Sequence, residues 1–100
     1  MKYLLGVDFG GGASKATLLR TDGWVVATHS VEYPTSYPES GWAEQNPKDW
    51  YVAASRNIRS VLEKSRVDPS DILMVALDAA THTAVLLDEN FQVLRPAIYW

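Results

Sequence analysis

The segment Lys2–Leu19 constrains this chain more than any other: Lys-Tyr-Leu-Leu-Gly-Val-Asp-Phe, then Gly10-Gly11-Gly12-Ala13, then Ser-Lys-Ala-Thr-Leu-Leu. Two apolar runs are separated by a few small residues. The chain must fold back on itself there as a strand, a glycine turn and a second strand. Glycines let a backbone approach an anion closely, because no Cβ stands in the way. Lys15 just beyond the turn adds a point charge. Asp8 just before it can hold the water shell of a metal ion. The layout suits the phosphates of a nucleotide.

Better-known glycine loops do not fit. Lys15 stands where the dinucleotide fingerprint needs its last glycine, and the Gly-Lys-Ser/Thr ending of a P-loop is absent. Both of those motifs also open a helix, whereas Ala16-Thr17-Leu18-Leu19 reads as a strand. The bland alternative is a hairpin turn with no ligand. The flanking Asp8 and Lys15 favour phosphate.

Length and composition limit the rest. One hundred residues make one small domain. Net charge is −3 with no basic block, so nucleic acid and anionic membranes are poor partners. No apolar stretch reaches the ~20 residues of a membrane helix, and the early Asp8 breaks any signal-peptide pattern. The absence of cysteine fits a reducing, cytoplasmic setting.

Strands are expected at 2–8, 15–20 and 24–33, as an antiparallel meander. A loop over 34–46 follows, with Tyr33, Tyr37 and Trp42 expected to pin it to the domain. Asn46 caps a helix opened by Pro47, with Asp49 at its positive end. Trp50, Ala54, Ile58, Val61, Leu62 and Ser65 share one face, and Asp68-Pro69 stops the helix. Ile72–Leu77 is a continuous apolar run, expected to be a strand buried on both faces. Residues 83–88 and 91–94 read as two further strands. Five or six strands with one helix leave a sheet face uncovered. The chain is therefore expected to be part of something larger, and to self-associate on its own.

Gly6-Val-Asp-Phe-Gly, the small-residue turn and Lys15 resemble the first phosphate motif of the superfamily of sugar kinases, actin and heat-shock chaperones. Tyr37-Pro-Glu-Ser-Gly-Trp-Ala-Glu-Gln-Asn-Pro47, Val85-Leu-Leu-Asp88 and Leu94-Arg-Pro-Ala-Ile-Tyr-Trp100 resemble successive signatures of the FGGY carbohydrate kinases, xylulose kinase-like members above all. The resemblance implies an α/β, ribonuclease H-like (actin-like ATPase) fold with a mixed five- to six-stranded sheet and one long helix. Residues 1–100 would be the first part of the N-terminal actin-like domain of a two-domain sugar kinase.

The same resemblance implies transfer of the γ-phosphoryl of ATP, with Mg2+, to a sugar or polyol hydroxyl. Gly10, Gly11, Gly12 and Ser14 would line the phosphate turn, Lys15 would face the β/γ-phosphates, and Asp8 would lie near Mg2+. Asp78-Ala-Ala-Thr-His-Thr83 matches a segment that reads Gly-Gln-Met-His-Gly in xylulose kinases. Thr81 and His82 would then contact sugar, and Trp100 would line the same site. The catalytic base of the family falls beyond residue 100. The rival reading is an actin-like or chaperone-like nucleotide-binding module without a sugar substrate.

Overall fold

The computed structural model describes residues 1–99. Strand β1 (Tyr3–Phe9) turns through the glycines into β2 (Ala13–Arg20), and a second hairpin leads to β3 (Val25–Glu32). After a long loop come β4 (Glu44–Gln45), helix α1 (Pro47–Ser65), a 3-10 turn (Pro69–Asp71), β5 (Ile72–Ala79) and β6 (Ala97–Ile98). The main sheet has the order β3-β2-β1-β5, with β1–β2 and β2–β3 antiparallel and β1–β5 parallel. β4 and β6 form a separate antiparallel pair.

Period-two alternation divides the hairpin into two faces. Leu5, Val7, Ala16 and Leu18 are buried beneath α1, joined by Ala54 and Val61 from the helix. Gly6, Asp8, Lys15 and Thr17 occupy the opposite face. Leu18 is fully buried, and its truncation to Ala would cost about 2–5 kcal/mol, because the cavity cannot refill.

The helix begins where its cap predicts. The Asn46 side chain accepts from Lys48 N–H at 3.0 Å, and Pro47 and Asp49 fill the first turn. It ends earlier than Asp68-Pro69. Arg66 adopts the left-handed conformation (φ 59°) and donates its N–H to Leu62 O at 2.9 Å, a closing bond usually made by glycine. One residue on the buried face is polar. Asn57 is fully buried, donates to Ser14 O at 2.8 Å and sits 2.8 Å from His29 Nδ1. It ties the helix to β2 and β3.

Three expectations are corrected. The sheet has four strands, not five or six. Residues 83–88 and 91–94 make only the isolated bridges Ala84–Ile98 and Leu87–Val93, because their backbone groups pair within a local loop rather than with the sheet. Ile72–Leu77 is a strand but is not buried. α1 lies over β2 and β3 and reaches only the margin of β1, so Val75 and Leu77, paired with Leu5 and Val7, are left exposed, while Met74, paired with Leu4, is exposed on the opposite face, and Leu73 is exposed as well. Of the three loop aromatics only Tyr33 is buried, while Tyr37 and Trp42 are exposed.

Candidate functional site

The glycine turn is held from behind by its carbonyls. Gly10 N–H closes the turn onto Ala13 O at 2.9 Å. The Tyr33 hydroxyl donates to Gly10 O and, at 3.0 Å, to Ala13 O. Tyr33 N–H donates to Gly12 O at 3.1 Å. Gln45 Nε2 donates to Gly11 O at 2.6 Å and to Thr35 Oγ1 at 2.8 Å, while its Oε1 accepts from Trp50 Nε1 at 2.9 Å. In a planar trans peptide, C=O of one residue and N–H of the next point in opposite directions. Fixing the Gly10 and Gly11 carbonyls inward therefore aims the Gly11 and Gly12 N–H groups outward. Among the described residues neither N–H has a protein acceptor. Burial pushes the Tyr33 phenol above its usual range, with the charges of Asp8 and Tyr99 adding to the shift. Tyr33 thus stays protonated as a donor.

None of the three turn glycines takes the left-handed conformation. Gly11 instead makes room for a neighbour: a Cβ there would meet the Tyr99 hydroxyl and push the phenol aside. A Cβ at Gly10 would lie 3.5 Å from Asp8 Oδ2, so the Asp8 carboxylate rests directly beside the turn.

Asp8 pairs in register with Lys15 on one side and with Asp78 on the other. Paired residues in adjacent strands project to the same face. All three therefore line an open cleft of about 310 Å3 on the face away from α1, together with Gly6, Thr17 and Ala76. The hydrogen-bonding contact with Asp78 raises the Asp8 pKa above its usual value. Burial and the Asp78 charge add to this, and Lys15 opposes it. Among the described residues Lys15 forms no ion pair, so its charge is available to an anion. Asp78 belongs to β5, and no sequence motif marks it as part of the site.

Ser14 departs from expectation. It is the second residue of β2, faces α1 and is fully buried, with its hydroxyl unpartnered. The alternation that puts Lys15 in the cleft puts Ser14 in the core. Its hydroxyl is not on the ligand side of the turn.

Thr81 and His82 follow β5, where Ala80 N–H bonds Phe9 O at 2.8 Å. They line a second open cleft of about 430 Å3 with Ala80, Ile98 and Tyr99. His82 is exposed, has φ 57°, and its Nδ1 lies 3.1 Å from Thr81 Oγ1. A left-handed histidine is a strained choice that persists where the surroundings impose it. Trp100 lies outside the described residues. Sequence reasoning also missed Gln45, although it sits inside the Tyr37–Pro47 signature, and Tyr99.

Comparison with known proteins identifies the family. The family model of the N-terminal domain of the FGGY family of carbohydrate kinases matches residues 3–100. The chain is 38% identical to xylulose kinase of Bacillus subtilis (strain 168) over 100 residues, which is 100% of this chain and 20% of the relative. It is 29% identical to glycerol kinase of Thermococcus gammatolerans, covering 99% of this chain and 20% of that protein. A solved xylulose kinase from Brucella ovis superposes with a TM-score of 0.91 at 33% identity, over 96% of this chain and 20% of that one. The chain thus spans 20% of the length of these relatives. Its mixed sheet and long α-helix belong to the actin-like ATPase fold of such sugar kinases. On its sequence and its fold together, the chain belongs to the FGGY family of carbohydrate kinases.

Proposed function

We propose that this chain is the first part, residues 1–100, of the N-terminal, ribonuclease H-like domain of an ATP-dependent sugar kinase. The observation that carries the reading is the turn held by its carbonyls, with Asp8 and Lys15 in register beside it. The Gly11 and Gly12 amides bind phosphate oxygens of ATP, and Lys15 neutralises the β/γ charge. Phosphoryl transfer depends on such positioning and charge neutralisation rather than on covalent chemistry by the protein.

Asp8 suits a divalent cation. It lies beside a second carboxylate, and its pKa is raised by the hydrogen-bonding contact with Asp78, then by burial and the Asp78 charge, a crowding of carboxylates that a cation would relieve. Among the described residues no three His, Asp or Glu side chains converge. A largely hydrated Mg2+, which prefers few protein ligands, fits this better than a caged ion. When bound it would neutralise charge on the transferred phosphoryl group.

Thr81 and His82 form the acceptor side and contact a sugar or polyol, with a xylulose-like ketose the first candidate, because xylulose kinases are prominent among the relatives. A cytoplasmic setting goes with that chemistry. The test is ADP release by the full-length protein with ATP, Mg2+ and a panel of ketoses, polyols and aldonic acids. Turnover dependent on one of these acceptors is expected. ATP hydrolysis indifferent to all of them would favour a nucleotide-binding module without a sugar substrate.

A further inference from the structure

Gly11 and Tyr99 fit together in a way that turn geometry does not require. Gly11 has no left-handed φ, so handedness of the backbone does not require glycine there. The space a side chain would take is occupied by the Tyr99 hydroxyl, with Tyr99 Cζ 3.2 Å from the Cβ position, so a larger residue here would have to displace the phenol. Tyr99 is carried there by a braced segment. Its N–H donates to Ala43 O at 2.9 Å, Ile98 and Ala84 exchange bonds of 2.9 and 3.0 Å, and β6 pairs with β4. Arg95 closes the same segment by an ion pair with Glu44. The ring also lines the cleft of Thr81 and His82. The phenol therefore stands at the border between the phosphate turn and the acceptor cleft. Among the described residues its hydroxyl has no protein partner and keeps contact with solvent, so it is free to turn to a ligand.

We propose that Tyr99 contacts the ligand: its hydroxyl fills the side-chain position left open at Gly11 and donates to an oxygen of the terminal phosphate of ATP. The proposal rests on the sugar-kinase reading above, which sets the terminal phosphate nearest the acceptor. In phosphoryl transfer the terminal phosphate must lie between nucleotide and acceptor, and Tyr99 is the residue that reaches both sides. A hydroxyl donating to an anionic oxygen makes a charge-assisted bond.

The experiment is calorimetric titration of the full-length protein with ATP and with ADP, alongside sugar-dependent ADP release. Tyr99→Phe keeps the ring and removes the donor. It is expected to weaken ATP about 10-fold and leave ADP unchanged. Tyr99→Leu should show the same loss, and Gly11→Ser with Tyr99→Leu should recover part of it by returning a hydroxyl to the same space. Equal losses for ATP and ADP, no loss in Tyr99→Phe, or no recovery in the double variant would each overturn the proposal. Selective loss of ATP in a protein that phosphorylates no sugar would keep the Tyr99 contact and reject the sugar-kinase reading. Normal sugar turnover with an indifferent Tyr99→Phe would do the reverse.

Discussion

Gln45 Nε2 lies 2.6 Å from Gly11 O, across thirty-four positions of sequence, and the same side chain accepts from Trp50 Nε1. One buried amide thus couples the glycine turn to the start of α1. Gln45→Glu keeps the size and the acceptor for Trp50 but cannot donate to Gly11. We expect its KM for ATP to rise about 10-fold while KM for the acceptor stays within twofold. Gln45→Ala should in addition cost about 1–3 kcal/mol of stability by stranding buried polar groups. Urea unfolding and steady-state kinetics on both variants check this. Parallel rises in both KM values would show that Gln45 does not act through the turn.

The Asp8–Asp78 pair gives a pH dependence of known sign. Because the folded Asp8 pKa is raised above 3.8, the pair is most favourable when it shares a proton. That contribution is complete below the usual aspartate range and disappears as pH rises through the raised value. Asp78→Asn should bring the Asp8 pKa down and remove this loss, making the variant relatively more stable near neutral pH. Carboxyl NMR titration of Asp8 in the two proteins decides the matter, and an unchanged Asp8 midpoint would contradict the account.

For His82, the strained backbone and the ring can be separated. His82→Ala should raise KM for the sugar or lower kcat, with ATP affinity unchanged. His82→Gly should do the same while gaining stability of about 1–2 kcal/mol from relief of the left-handed conformation. If both variants lose only stability and keep their sugar kinetics, the histidine serves the turn and not the acceptor.

The uncovered strand makes a prediction for the 100-residue chain alone. Leu73 and Leu77 are 61% and 67% exposed on an edge strand, and such edges offer both apolar area and unpaired backbone groups. Light scattering should show self-association, and Leu73→Lys with Leu77→Lys should reduce it. A monodisperse monomer at high concentration would contradict the packing argument. No sugar-dependent turnover is expected from this piece.

What could be read from the sequence follows the range of the interactions involved. Asn46-Pro47 and the apolar spacing set α1 locally, and the glycine turn with Asp8 and Lys15 was visible as one short run. Asn57 was not, because a polar residue on an apolar face gives no sign of its partners at Ser14 and His29. Asp78 meets Asp8 only through parallel pairing of strands far apart in the chain. Tyr99 meets Gly11 only through the small β4–β6 pair, whose two-residue strands carry no periodic signal. Ser14 was misplaced by one step of alternation, since β2 starts at Ala13 rather than Lys15. The apolar runs at 83–88 and 91–94 look like strands, but composition does not specify whether a strand joins the sheet or closes a local loop.

Lys15 tests the central claim most directly, because its exposed side chain contributes charge to the cleft and little to the core. ATP affinity of full-length Lys15→Ala should fall by about 1–3 kcal/mol, the scale of a charge-assisted contact, with an unchanged unfolding temperature. ATP binding identical to wild type in a folded Lys15→Ala protein would contradict the assignment of this turn as the phosphate site.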